Sequence, residues 1–173
     1  MSVMLGKSFF NRSAVKVAHD LIGCVLVRRV RGRTRRFLIT EVEAYEGPKD
    51  LASHASRGKT KRNEIMFGPA GYIYVYFVYG MHWMLNIVTG KKDYPAAVLI
   101  RDIEGYSGPA RLTKALSITG ELNCKLLGKK IGLWIESGMS ISSKNILRTP
   151  RIGVAYAGPV WSKKLYRFLL KEK

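Results

Sequence analysis

Residues 71–86 read Gly-Tyr-Ile-Tyr-Val-Tyr-Phe-Val-Tyr-Gly-Met-His-Trp-Met-Leu-Asn, and we expect the rest of the chain to be organised around this stretch. Tyrosines alternate with β-branched residues at its start, and this period of two predicts a strand. Gly80 can adopt a positive φ, which predicts a turn at Tyr79-Gly80-Met81. The extended pattern then resumes over residues 82–88. The sequence therefore predicts a β-hairpin with Tyr79 and Met81 at its tip.

The tip of this hairpin carries an unusual pair of side chains. Hairpin turns are usually built from small polar residues, whereas Tyr79 and Met81 are large and apolar. One explanation is a wedge, because proteins that unstack DNA push apolar side chains between base steps, and enzymes that act on a base take it out of the stack. The alternative is that either side chain packs under a neighbouring loop. These residues alone leave both explanations open.

The chain carries far more positive charge than solubility requires. Its 173 residues include 30 Lys and Arg against 12 Asp and Glu, which gives a formal net charge of +18. A hydrophobic share of 47% is enough for one core, so we expect residues 1–173 to form a single domain. The charge predicts a polyanionic partner, nucleic acid first and an anionic membrane surface second. A basic protein with a solvated face is the alternative.

Cysteine spacing and the apolar pattern restrict the compartment. Cys24 and Cys124 are far apart and neither has a C-x-x-C partner, so the sequence predicts neither a disulfide framework nor a zinc site. Residues 1–11 lack the apolar run of a signal peptide, and no later stretch is long enough to span a membrane. We therefore expect a soluble intracellular monomer without membrane contact, cytoplasmic at the nucleoid in a prokaryote and nuclear in a eukaryote.

Two helices are predicted from capping residues and apolar spacing. Ser13 is a good N-cap for a helix over residues 14–22, and Gly23 ends that run. Ser107 is expected to cap the second helix, with Pro109 in its first turn. His19 lies in the first helix, where a lone histidine more often packs or faces solvent than binds a ligand.

Strands account for much of the remaining chain. They are predicted over residues 24–30, 35–45, 96–100, 131–135 and 151–156, with a basic tail at 163–168. The strand over residues 96–100 is expected to be the third of a meander that begins with the hairpin. The predicted fold class is α+β: a single domain with a mostly antiparallel β-sheet, a protruding β-hairpin and peripheral helices.

Two basic stretches are candidates for phosphate contacts. The first surrounds a turn predicted at residues 31–34, and the second is the loop that follows residue 56. The guanidinium fork matches phosphate geometry, and such contacts would position DNA without reading its sequence. For the first stretch, a solvated loop with no specific role is the alternative. The candidate residues are Arg28, Arg29, Arg31, Arg33, Arg57, Lys59, Lys61 and Arg62.

Two carboxylates lie on one face of the strand predicted over residues 35–45. Alternation places Glu41 and Glu43 together with Ile39 and Tyr45. Against a DNA-binding surface these carboxylates are electrostatically unfavourable unless they take part in chemistry, and salt bridges to the abundant arginines are the alternative. His54 follows in a polar loop rich in Ser and Gly, where a histidine can donate hydrogen bonds to a ligand.

Several stretches, taken in order along the chain, resemble the alkyladenine-type 3-methyladenine DNA glycosylases. The resemblance spans nearly the whole chain, and its specificity comes from the set rather than from any one compact motif. The matching stretches are residues 41–45, 52–58, 62–63 with 66–67, 72–86, 98–101, 107–109 with 115–116, and 151–154 with 167–168.

This resemblance implies a role for each matched site residue. Glu43 would be the general base that activates water, and Arg101 would help to hold that water. Glu41 would support the site. Tyr79 would fill the gap left in the duplex, with Met81 as a neighbouring wedge. The pocket for the extruded base would consist of Tyr45, His54, Tyr76 and Asn86, with Asn86 discriminating against the amino group of normal purines.

These residues suit hydrolysis of an N-glycosidic bond without a cofactor or a metal. The transition state resembles an oxocarbenium ion, and one carboxylate can both stabilise it and deprotonate the attacking water. An alkylated purine such as 3-methyladenine already carries positive charge, and Tyr45 and Tyr76 can stack on such a cationic base. If the hairpin pairs Tyr74 with Asn86, Tyr76 and Asn86 share one face of it.

The expected activity is monofunctional, because no lysine lies in a recognisable motif for a Schiff base. The partner would be double-stranded DNA containing damaged purines, and the product an abasic site. The order among 3-methyladenine, 7-methylguanine, hypoxanthine and ethenoadenine stays open. The alternative is a non-enzymatic basic DNA- or RNA-binding protein, which explains the charge but not Glu43. A metal-dependent nuclease would require more clustered carboxylates.

One connection departs from the family pattern. Only residues 102–106 separate the strand that ends at Arg101 from the Ser-Gly-Pro at 107–109, whereas fuller members carry a longer segment there. We therefore expect part of the DNA-facing surface to differ while the pocket residues are kept.

Overall fold

The computed structural model of the protein describes residues 2–171. These residues form an α+β fold around one mostly antiparallel sheet, as the sequence predicted. The strands are β1 (Val25–Val30), β2 (Arg33–Glu46), β3 (Ile73–Val78), β4 (His82–Val88), β5 (Ala96–Ile103), β6 (Leu133–Glu136), β7 (Ile146–Thr149) and β8 (Arg167–Leu170). The helices are α1 (Lys7–Phe10), α2 (Ala14–Leu21), α3 (Pro109–Ala115) and α4 (Gly158–Trp161), and short 3₁₀ turns lie at Glu64–Phe67, Gly120–Leu122, Lys129–Ile131, Ser143–Asn145 and Ala155–Ala157.

The long strand β2 organises the sheet. The spatial order is β3-β4-β5-β2-β1-β6, with β8 paired to β2 and β7 paired to β8. The first half of β2 pairs with β1, and the second half lies between β5 and β8. The meander of β3, β4 and β5 is therefore confirmed, and it lies beside the half of β2 that carries Glu43.

The β3–β4 hairpin pairs Tyr74 with Asn86 and Val78 with His82. This is the register on which the shared face was conditional, so Tyr76 and Asn86 lie on one face. Tyr79 has a φ of 52° and Gly80 a φ of 64° at the tip. The left-handed region costs a non-glycine residue about 1–2 kcal/mol, so the turn holds Tyr79 in a conformation that its own backbone disfavours.

The main core lies between α2 and the sheet. Ser13 caps α2 as predicted, because its Oγ accepts a hydrogen bond from the N–H of Lys16 at 3.3 Å. Val17 and Leu21 are fully buried on the inner face of α2, and they belong to the same apolar cluster as Val42. The apolar spacing of the helix therefore positions it against the sheet.

The turn predicted at residues 31–34 is wrong in length. Thr34 pairs with Arg29 and Arg33 pairs with Val30, so only Arg31 and Gly32 form the turn. Both have positive φ, 49° and 78°, which is the geometry of tight two-residue hairpins.

The carboxyl-terminal third departs most from the sequence prediction. Residues 151–156 are not a strand, because Gly153 takes a φ of 72° and a 3₁₀ turn begins at Ala155. The strand predicted over 131–135 begins two residues later, since Gly132 has a φ of 69°. Strands β7 and β8 were not predicted, and β8 begins within the stretch interpreted as a basic tail.

The predicted cap of α3 is also wrong. The N-cap is Gly108, with Pro109 in the first turn. Ser107 donates its hydroxyl hydrogen to Asp102 at 2.8 Å instead, and the N–H of Gly108 donates to the same carboxylate at 2.6 Å. The Asp102 carboxylate therefore holds residues 107 and 108 in place through these two hydrogen bonds.

Two register shifts interrupt the pairing of β2 with β5. Thr40 is an extra residue on β2, and Arg101 is an extra residue on β5. Such bulges break the alternation of side chains and redirect them. The prediction that Ile39 shares a face with Glu43 is therefore wrong, because Ile39 is buried in the main core with Val42.

Candidate active site

A cavity of about 400 Å³ opens beside the second half of β2. This volume falls within the range of about 300–1,000 Å³ that is typical of small-molecule sites. Its walls come from β2, the β3–β4 hairpin, β5 and the loop that follows β7. The predicted site residues among its lining are Glu43, Tyr45, His54, Tyr76, Tyr79, Asn86 and Arg101. Met81 is not among them.

Glu43 lies fully buried at this cavity, with 0% of its surface exposed. Its Oε1 accepts a hydrogen bond from the N–H of Ile152 at 2.7 Å, and its Oε2 accepts one from the hydroxyl of Tyr45 at 2.8 Å. Burial, together with the charge of Glu43, raises the pKa of Tyr45 well above its usual value. The Tyr45 hydroxyl therefore keeps its proton, and the Glu43 carboxylate is held in one orientation.

Glu41 belongs to an ion-pair cluster rather than to the cavity wall. Its Oε1 lies 2.8 Å from Nε of Arg101 and 2.6 Å from Nε of Arg167. Arg101 also reaches Glu43, with Nη1 at 3.5 Å from Oε1. The alternative of salt bridges to arginines therefore holds for Glu41, and Arg101 connects the two carboxylates.

The bulge on β5 explains how Arg101 reaches both carboxylates. As the extra residue between two register positions, Arg101 has no direct partner across β2. Bulges are frequent next to active sites, where they redirect a side chain. The sheet itself therefore points this guanidinium at Glu41 and Glu43.

Aromatic rings form another part of the cavity wall. The ring centroids of His54 and Tyr76 lie 4.6 Å apart, and those of Tyr74 and Tyr76 lie 5.0 Å apart. Nδ1 of His54 lies 3.0 Å from the hydroxyl oxygen of Tyr74. Burial raises the pKa of Tyr74 to about 12. Partial burial, reinforced by the charge of Arg62, lowers the pKa of His54 below its usual value, so a neutral imidazole faces the cavity at neutral pH.

Asn86 lies at the buried end of the cavity, and Tyr79 lies at its rim. Asn86 is buried, and its Nδ2 donates to the backbone carbonyl of Tyr74 at 3.3 Å. Tyr79 is 87% exposed at the tip, next to the exposed Met81. The hairpin register thus brings a buried amide and a projecting aromatic ring to the same cavity.

The candidate phosphate contacts fall into two groups. The basic loop over residues 57–62 lies beside the cavity, since the guanidinium of Arg62 lies 5.3 Å from the ring centroid of Tyr76. Arg57, Lys59 and Lys61 in this loop are exposed.

The other group lies at the far end of β2. Arg31 lies in the β1–β2 turn and Arg33 follows it, and the roughly ten residues from Arg33 to Glu43 span about 33 Å of strand. Arg28 donates to the carbonyl oxygens of Leu116, Ser117 and Gly132, so its guanidinium is occupied within the protein. Arg29 donates to the carbonyl of Lys129 at 2.6 Å.

The loop after β7 contributes residues that sequence reasoning missed. Besides the N–H of Ile152, it supplies Tyr156, whose hydroxyl donates to the carbonyl of Ala52 at 2.8 Å. A buried bidentate ion pair anchors this loop, because Nη1 and Nη2 of Arg151 lie 2.6 and 2.8 Å from the two carboxylate oxygens of Asp50. Arg151-Ile152-Gly153 belongs to a stretch that resembles the family, but its residues alone do not indicate that Asp50 is the partner of Arg151.

No group of three or more His, Cys, Asp or Glu side chains within residues 2–171 is arranged to hold a metal ion. In the same residues, no helix combines the length and the apolar character needed to cross a membrane.

Comparison with known proteins defines the class to which this fold and site belong. The family model described as "Methylpurine-DNA glycosylase (MPG)" matches residues 8–108 and 104–173. The chain therefore belongs to the methylpurine-DNA glycosylase family, and it is a DNA glycosylase of base-excision repair, a hydrolase that acts on N-glycosyl bonds. The two matched segments meet at residues 104–108, at the short connection noted in the sequence.

Curated relatives agree with this assignment. A protein of Carboxydothermus hydrogenoformans is 44% identical over 191 residues, covering 98% of this chain and 96% of the relative. One of Myxococcus xanthus is 41% identical over 177 residues, covering 97% and 90%, and one of Methanocella arvoryzae is 43% identical over 175 residues, covering 90% and 86%. Each is named "Putative 3-methyladenine DNA glycosylase". These relatives come from bacteria and archaea.

The buried pair that anchors the loop after β7 can be tested by substitution. Asp50 and Arg151 both have fully buried side chains, so Asp50→Asn leaves a buried guanidinium without its counter-charge. We expect the free energy of unfolding to fall by about 3–5 kcal/mol, measured by urea denaturation. Asp93→Asn, in an exposed turn, is the matched control and should change stability by less than about 0.5 kcal/mol. Equal effects of the two substitutions would contradict the anchoring role.

Proposed function

We propose that the protein is a monofunctional glycosylase that extrudes alkylated or deaminated purines from duplex DNA and hydrolyses their N-glycosidic bond. The observation that carries this proposal is Glu43, a fully buried carboxylate at the wall of an aromatic cavity of about 400 Å³. A cavity of this kind accepts a flat aromatic ligand, and the carboxylate lies where the sugar of an extruded nucleotide would follow.

Glu43 is the proposed general base. Departure of the base leaves an oxocarbenium-like sugar, which a nearby anion stabilises, and the same anion can take the proton of the attacking water. The hydrogen bonds from Tyr45 and from the N–H of Ile152 fix the direction of the carboxylate. A fixed carboxylate needs no reorganisation as charge develops on the sugar.

The proposed base pocket selects for electron-poor purines. Tyr45 and Tyr76 offer π faces that attract a cationic alkylated base, and neutral His54 can exchange a hydrogen bond with it. Asn86, held by the carbonyl of Tyr74, would reject the exocyclic amino group of a normal purine through a clash or an unmatched donor. No separate acid is then required for a leaving group that already carries positive charge.

The hairpin tip is the proposed wedge. Tyr79 projects into solvent at the rim of the cavity, so its ring can occupy the space that the extruded nucleotide leaves, with Met81 against the neighbouring step. The basic loop beside the cavity, with Arg57, Lys59, Lys61 and Arg62, would hold the phosphates on that side. Arg31 in the β1–β2 turn and Arg33 at the start of β2 lie too far from Glu43 to contact the same nucleotides. The donors of Arg28 are occupied within the protein.

The base-release activity depends on the Glu43 carboxylate. Wild-type protein and Glu43→Gln are incubated with methylated duplex DNA in the presence of a chelator, and the released bases are separated by chromatography. We expect 3-methyladenine from the wild type and a rate at least about 100-fold lower from Glu43→Gln, with DNA binding retained. Addition of borohydride should trap no covalent complex, because a monofunctional enzyme forms no Schiff base.

The matched control for this experiment is Glu121→Gln, which removes one exposed carboxylate elsewhere and should leave base release unchanged. If the wild type binds DNA but releases no base, the protein is a binding module and the proposal fails. If Glu43→Gln releases base at the wild-type rate, Glu43 is not the general base.

The wedge is tested by shortening its side chain. Tyr79→Ala keeps the Cβ and the turn but removes the ring, which is worth about 1–3 kcal/mol in a base–aromatic stack. We expect single-turnover excision from duplex DNA to slow by about 10- to 100-fold while the thermal unfolding midpoint stays unchanged. Tyr79→Phe keeps the ring and should excise at the wild-type rate. Unchanged excision by Tyr79→Ala would show that the tip plays no part in extrusion.

A further inference from the structure

We propose that Glu41 is a positioning residue, which binds Arg101 and so prevents it from forming a full ion pair with Glu43. This inference rests on the proposed function, because it concerns the carboxylate assigned there as the general base. It gives Glu41 a task of its own in the reaction, carried out through Arg101 rather than through contact with DNA.

The distances show how Arg101 is shared. Its Nε lies 2.8 Å from Oε1 of Glu41, the length of a charge-assisted hydrogen bond. Its Nη1 lies 3.5 Å from Oε1 of Glu43, which is longer than such a bond. Arg101 is therefore bonded to Glu41 and only approaches Glu43.

Two strands deliver arginines to the same oxygen of Glu41. Arg101 comes from β5, where it is the extra residue of a bulge. Arg167 comes from β8, and its Nε lies 2.6 Å from Oε1 of Glu41. Because β2 lies between these strands, Glu41 receives one guanidinium from each side, and the cluster of two carboxylates and two guanidinium groups is balanced in charge.

Glu41 is present as an anion in this cluster. Burial acts to raise its pKa, but the hydrogen bonds from Arg167 and Arg101 outweigh burial, and the pKa of Glu41 lies below its usual value. The same hydrogen bond to Glu41 raises the pKa of Arg167. The charges that hold Arg101 in place therefore persist across the neutral pH range.

Sharing Arg101 matters because a general base must retain affinity for a proton. A guanidinium in full contact would stabilise the ionised carboxylate and weaken it as a base. At 3.5 Å, Arg101 still contributes positive potential and can hold a water molecule. Glu41 thus sets the distance at which that potential acts on Glu43.

Several other charged or titratable groups face Glu43, and any pH experiment must take them into account. They come from every element that packs around this carboxylate. The charged and titratable groups facing Glu43 are Glu41 and Tyr45 on β2, Tyr76 on β3, Arg101 on β5, Arg167 on β8, and Arg151 and Tyr156 in the loop after β7.

The test compares two substitutions that should move the rate–pH profile in opposite directions. Glu41→Gln keeps the size and an acceptor oxygen but removes the charge, so Arg101 is released toward Glu43. We expect single-turnover base release from methylated duplex DNA to slow by about 10- to 100-fold. The acidic limb of the profile, followed over roughly pH 5 to 9, should move to lower pH.

Arg167→Met has the opposite charge effect. It leaves Glu41 to bind Arg101 alone and removes a positive charge near Glu43, so the acidic limb should move to higher pH. A purely structural role would lower stability without these opposed shifts. If Glu41→Gln does not fold, Arg167→Met keeps the proposal open to refutation, because no shift in its profile would overturn the proposal.

A double-mutant cycle asks whether Glu41 acts through Arg101. In an Arg101→Met background, adding Glu41→Gln should cause no further loss of rate, and fully additive losses would overturn the proposal. Glu121→Gln removes an exposed charge and should match the wild type in rate and in pH profile. A wild type that releases no base refutes the proposed function itself. An active wild type with an unaltered Glu41→Gln refutes only the role of Glu41.

Discussion

The site depends on keeping one carboxylate, that of Glu43, out of water. Removing a carboxylate from water costs several kcal/mol unless hydrogen bonds and opposite charge compensate. Here the compensation comes from three separate parts of the chain: the Tyr45 hydroxyl, the N–H of Ile152 and the guanidinium of Arg101. Together these groups compensate for the burial of Glu43, and the surrounding structure holds each of them beside it.

Two features of the fold place Arg101 and the N–H of Ile152 beside Glu43. The bulges between β2 and β5 turn Arg101 toward the carboxylates while the strands on either side stay paired. The buried pair of Asp50 and Arg151 ties the loop after β7 to the turn after β2, which holds the Ile152 N–H against Glu43. Both features place charged groups in the protein interior, where their desolvation costs free energy of folding. Functional sites often keep such a geometry at the expense of stability.

Much of this arrangement could be predicted from local sequence, and the rest depends on distant partners. Alternation over residues 72–77 predicted the hairpin, because period two is a local property of a strand. The register that puts Tyr76 and Asn86 on one face was only assumed, because it depends on how two strands pair. The bulge at Thr40 leaves no such signal, so Ile39 was assigned to the wrong face. Arg151 was wrongly assigned to a strand, because its position is set by Asp50, which lies 101 positions earlier and gives no local signal.

The proposed roles of the cavity and of Glu43 are tested most directly by a crystal structure of the Glu43→Gln variant bound to duplex DNA that contains one 3-methyladenine analogue resistant to hydrolysis. We expect the damaged base inside the cavity, stacked on Tyr76, with its sugar beside residue 43 and the ring of Tyr79 in the gap left in the duplex. A complex in which the damaged base stays stacked in the duplex and the cavity is empty would refute the roles proposed for Glu43, Tyr76 and Tyr79.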